Sequence, residues 1–104
     1  MEQLYVFATP AEVLAHAADW CEQMRERHAC GGWADTPPPA TPADFLAWWA
    51  DEAAIQEDQA AATMDNWELH LGHVHAALTL HWLCAQLRCL GVTPAPLPWE
   101  VAHA

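Results

Sequence analysis

The chain has no lysine and no serine, and Arg25, Arg27 and Arg88 are its only strong bases against fourteen acids. Without serine there is no serine nucleophile. With three arginines a substrate phosphate finds few positive ligands. The formal net charge of -11 disfavours direct contact with nucleic acid or with an anionic membrane. Glycine is scarce, at four residues, and forms no phosphate-cradling loop; Gly31-Gly32 reads only as a helix stop. None of Cys21, Cys30, Cys84 and Cys89 stands in a Cys-x-x-Cys pair, so zinc-ribbon and thioredoxin-like spacings are missing. No apolar run reaches the roughly 20 residues a membrane span needs. The start, Met1-Glu2-Gln3-Leu4-Tyr5, has no basic region followed by an apolar stretch. A cytoplasmic protein with reduced thiols and no secretory leader is therefore expected.

What is present is a 104-residue chain that is 54% hydrophobic, enough for one domain with a real core. Abundant alanine without lysine fits a high-GC bacterial or phage coding sequence. Thr9-Pro10-Ala11-Glu12 is a helix start, with a capping threonine, a proline suited to the first helical position and a glutamate that completes a capping box. Thr41-Pro42-Ala43-Asp44 repeats that signal 32 residues later. Asp65-Asn66-Trp67-Glu68 offers a third box, with Asp65 as the cap. The spacing predicts helices over about 10–29, 43–62 and 66–90, with Gly91 ending the last. One continuous helix over 43–90, about 70 Å long, is the alternative. Leu4 to Phe7 reads as an extended arm or edge strand, Pro37-Pro38-Pro39 as a stiff connector, and Thr93 to Pro98 as an extended tail that brings Trp99 back onto the helices.

On the first helix Val13, Leu14, Ala17, Cys21, Met24 and His28 share one side, and Phe45, Leu46, Trp49, Ala53, Gln56 and Ala60 are their equivalents on the second. The third is apolar nearly all round, through Leu69, Leu71, Val74, Leu78, Leu80, Trp82, Leu83 and Leu87. The expected architecture is all-α: a small three-helix bundle, the apolar third helix at its centre, with extended terminal arms. So apolar a helix also raises a homodimer as an expectation.

Two acidic rows stand out. Glu12, Asp19 and Glu26 are seven apart, as are Asp44, Asp51 and Asp58. A seven-residue step returns to nearly the same side of a helix, so each row predicts a carboxylate ridge about 21 Å long. Trp48 and Ile55 lie beside the second row, and an aromatic among charges has the character of a binding hot spot. These eight residues form the candidate partner-binding site. The function they suggest is a non-enzymatic inhibitor or adaptor that docks on a basic protein surface. One instance is a phage-encoded anti-defence protein that imitates a phosphate backbone and blocks the groove of a nucleic-acid-handling host protein. The competing reading is that the rows are solvated helix faces.

A second candidate uses metal. His70 and His73 are three apart, as are His81 and Cys84, and either pair can give one ion two ligands from adjacent turns. His70 and His81 lie about 16 Å apart along the axis, so no single ion takes all four. Cys84 with His81 also has the composition of a thiol nucleophile and its base. Cys84 and Cys89 point to different sides and should not pair. No cofactor is implied.

Overall fold

The computed structural model describes residues 7–102. Among them the chain forms five helices and no strand: α1 (Pro10–His16), α2 (Ala18–Cys30), α3 (Pro42–Ala62), α4 (Trp67–Cys89) and α5 (Pro98–Ala102). No helix among the described residues is long and apolar enough to cross a membrane. The expected N-terminal arm lies outside the described residues except for Phe7, which is buried against His16 and Trp82.

Both repeated start signals form complete capping boxes. Thr9 accepts from Glu12 N–H while the Glu12 carboxylate accepts from Thr9 N–H, and Thr41 and Asp44 do the same. The first expected helix is broken at Ala17, whose φ of -105° and ψ of 34° leave the helical range. The Cys21 thiol donates to the Leu14 carbonyl at 3.7 Å, one turn before the bend. A side chain inserted at the backbone ladder is a recognised cause of such a bend. The bend lets α1 meet both α3 and α4 while α2 lies along α3. The continuous 43–90 alternative is also excluded, because Thr63–Asn66 turns the chain. The cap of α4 is Asn66 rather than Asp65, since it is the Asn66 side chain that accepts from Leu69 N–H at 3.3 Å.

The central helix is α3, not the third of the expected three. Five consecutive residues, Phe45 to Trp49, are buried. Consecutive residues point all round a helix, so this stretch is enclosed on every side. Conversely α4 buries Ala77, Leu80, Leu83, Cys84 and Leu87 but leaves Leu69, Leu71, Leu78 and Trp82 exposed. Its main packed face lies against α3, Trp82 also meets Phe7 and His16, and the rest of the other side is open and apolar.

The side of α3 away from α4 is closed by the connector and the tail. Trp33 from the connector and Trp99 from the tail both lie against Trp48, with ring centroids 5.3 and 5.6 Å away, and 5.4 Å from each other. His28 completes the cluster at 5.9 Å from Trp33. Its Nε2–H donates to the Thr36 hydroxyl (3.1 Å), which in turn donates to the Trp33 carbonyl (2.8 Å). The tail is extended as far as Leu97, as the prolines predict, and is tied to α3 by Ala95 N–H donating to the Ala43 carbonyl at 3.0 Å. The sequence pattern had no signal for α5, which ends it.

Gly31 sits where a β-carbon would collide with the Trp33 ring, while Gly72 is a mid-helix glycine with open space around it. Gly31→Ala therefore displaces Trp33 and destabilises the protein by about 1–3 kcal/mol, the usual range for overpacking. Gly72→Ala stabilises it by about 0.5–1 kcal/mol through helix propensity. Urea unfolding of the two variants beside the parent checks both signs.

Candidate functional site

Folding interrupts the first acidic row at Ala17, while Asp44, Asp51 and Asp58 stay on the single helix α3 in different settings. Glu12 Oε1 accepts from Ala8 and Thr9 N–H at 3.0 and 2.9 Å, and Asp44 Oδ2 accepts from Ala40 and Thr41 N–H at 3.2 and 3.1 Å. Both carboxylates are turned back onto helix starts. The bend at Ala17 separates Glu12 from Asp19 and Glu26, which remain exposed on α2. Asp58 is exposed near the far end of α3. Trp48, expected at the surface beside the acids, is buried in the aromatic cluster, and Ile55 is only partly exposed. That leaves Asp51, which is half-buried and stands in a different setting.

Asp51 lines an open groove of about 580 Å³ between α3 and the tail. Its floor is made of small side chains on one side of α3, Ala47, Ala50 and Ala54. Pro94, Ala95, Pro96 and Leu97 form the opposite wall, with Glu100 and Arg88 at the rim. Glu100 is held in place by Leu97 N–H, which donates to its Oε1 at 2.7 Å. Burial raises the pKa of Asp51 from its ordinary value; Arg27 offsets this in part and the nearby Glu100 adds to it. A carboxylate that is costly to ionise beside another carboxylate gains most when a cation arrives. An alanine floor lined by two carboxylates against the single Arg88 suits the aliphatic stem and charged head of an arginine or lysine.

A partly buried polar chain links the helices. Arg27 on α2 pairs with the buried Glu52 on α3. Glu52 Oε2 also accepts from Gln56 Nε2 at 2.8 Å, and Gln56 Oε1 accepts from His73 Nδ1–H at 2.7 Å on α4. Because Gln56 spends its amide on the carboxylate, its oxygen requires the proton on His73 Nδ1. The chain ties α2, α3 and α4 together and engages Nδ1 of His73.

The other residues of the metal alternative are similarly dispersed. His70 Nδ1–H donates to the Ala60 carbonyl at 2.8 Å, and His81 Nε2 meets Glu57 at 3.0 Å on an exposed face. Cys84 is buried, with its thiol on the Leu46 carbonyl at 3.9 Å. No three His, Cys, Asp or Glu side chains among the described residues are grouped to hold a metal. Burial pushes the Cys84 thiol up to about 11, against a smaller opposing pull from Arg88. His81 faces Glu57 rather than that thiol, so the pair does not form an activated nucleophile. Cys89 is exposed and free, as the expected divergence from Cys84 requires.

The groove was missed in the sequence because Asp51 and Glu100 are distant in the chain, and the tail that joins them has no periodic pattern. The only signal was the chain of prolines from Pro94 to Pro98, which implied a strap without saying where it lands.

Because the folded state raises the Asp51 pKa, folding favours its protonated form. Stability therefore falls as pH rises from the ordinary aspartate value through the raised one, and the penalty stays in full above it. Asp51→Asn should raise the melting temperature at pH 7 and lose that advantage in acid, below the unfolded-state value of about 4. Thermal melts of both proteins across this range test the sign.

No protein family, no curated protein and no solved structure matches this chain.

Proposed function

We propose that this protein is a non-enzymatic interaction module that binds a basic partner protein through the groove between α3 and the tail. Asp51 and Glu100 receive a cationic side chain, and Ala47, Ala50 and Ala54 carry its stem. The observation that supports this reading is the half-buried Asp51, its pKa raised, sharing a groove of about 580 Å³ with a second carboxylate. The remaining exposed acids, Asp19, Glu26 and Asp58 among them, add a long-range field that speeds encounter with a positive surface. Four free thiols fit a reducing cytoplasm as the place of action. An inhibitor or adaptor of a nucleic-acid-handling host protein, phage-encoded or not, is the instance with the best charge match. It would recognise basic side chains individually, in place of a continuous imitation of a phosphate backbone.

Binding of an arginine-rich peptide, followed by calorimetry over a range of salt, tests the assignment. Asp51→Asn with Glu100→Gln should weaken binding at least tenfold, about 1.4 kcal/mol. Asp65→Asn with Glu68→Gln makes the same change in net charge far from the groove and should cost only the part that salt screens. Equal loss in the two double variants would show that net charge alone attracts the peptide, and would remove the groove from the account.

A further inference from the structure

A different surface carries its own assignment. Trp67, Leu71, Val74, Leu78 and Trp82 lie at helical spacing along one side of α4, roughly opposite its packed face. Trp67 is 64% exposed, Leu71 46%, Leu78 62% and Trp82 39%, the Trp82 ring resting on Phe7 and His16 with its remaining surface open. Together these side chains leave roughly 500 Å² of mostly apolar surface in water. That is the size of a functional patch, and a large part of the ~800 Å² per partner of a standard interface.

On either side of Val74 and His75 the order of residues along the stripe is the same in both directions. Tryptophan, three residues, leucine, two residues and then Val74 are followed by His75, two residues, leucine, three residues and tryptophan. A two-fold interface must be self-complementary, because the same patch serves both copies. Antiparallel pairing about a dyad between Val74 and His75 sets Trp67 against Trp82 of the second copy and Leu71 against its Leu78. Charge points to the same helix. Glu68 is the only acid from Trp67 to Cys89 and is offset by Arg88, whereas the other thirteen acids lie elsewhere in the chain. Two copies carrying -11 each can approach closely with least repulsion along α4.

We propose that α4 pairs antiparallel with α4 of a second copy along this stripe, giving a two-fold dimer. None of the stripe residues lines the Asp51 groove, so a dimer presents two grooves and can engage a partner bivalently.

Light scattering coupled to size exclusion, at tens of micromolar, should return twice the chain mass for the parent protein and a single chain mass for Leu71→Glu with Leu78→Glu. Both leucines are exposed in the single chain, so circular dichroism should show the same helicity in the variant. His75→Cys, with Cys30→Ser and Cys89→Ser, should be bridged rapidly by a short bis-maleimide, and Gln59→Cys in the same background should not. A monomeric parent overturns the proposal. So does a dimer that survives both glutamates, or equal bridging at the two cysteine positions.

Discussion

The rest of the structure depends on the enclosure of one short stretch of α3. Phe45 to Trp49 are five buried residues in succession, and a helix can bury five successive side chains only if something covers it on every side. No single neighbouring helix can do that. The chain supplies α4 on one side, the bent pair α1 and α2 on another, and two proline-rich segments on the third. The bend at Ala17 and the return of the tail serve the same end. The Trp33–Trp48–Trp99 cluster is where the last side closes, and each indole buries a large area in a molecule with few other ways to cover this helix. One turn further along α3, Glu52 is buried only because Arg27 and Gln56 meet it. That pairing fixes how α2 lies on α3; it offsets the cost of desolvating the charge rather than adding much net stability.

The groove and the open stripe both follow from this arrangement. The tail needs a close approach to cover α3, and alanines at 47, 50 and 54 permit it, but they also leave space between tail and helix. Asp51 lies in that space, too near protein to be well solvated and too open to have been given a fixed partner. On α4 the logic is reversed. One apolar face is used by α3, but the enclosure of Phe45–Trp49 needs only the part of α4 that carries Leu80, Leu83, Cys84 and Leu87. The opposite face stays apolar, with an internal partner only at the Trp82 end, where Phe7 and His16 meet the indole.

Much of the local structure was legible in the sequence. Thr9 with Glu12 and Thr41 with Asp44 are strong start signals because the chemistry is contained in four residues. The stripes Val13 to His28 and Phe45 to Ala60 point inward as their spacing implies, even across the bend. The failures came where one residue could serve two purposes or where distant segments meet. Glu12 and Asp44 belong both to capping boxes and to acidic rows. The box wins, since backbone N–H groups at a helix start hold a carboxylate more firmly than an exposed row does. Trp48 looked exposed because a helical wheel assumes a single buried face, and α3 has none to spare. The all-round apolar α4 suggested a central position, but apolar surface says only that partners are needed. Glu100 could not have been joined to Asp51 from spacing, because a proline-rich tail fixes its own shape and not its landing place.

The most direct measurement is a two-dimensional amide NMR titration with an arginine-rich peptide. Saturable shifts confined to Ala47, Ala50, Asp51, Ala54 and the segment from Ala95 to Glu100 are predicted, with α2 and the far end of the α3–α4 hairpin unmoved. Shifts spread over Asp19, Glu26, Asp58 and Asp65 in proportion to local acidity would contradict the account. They would reduce the groove to a packing remnant on an acidic surface.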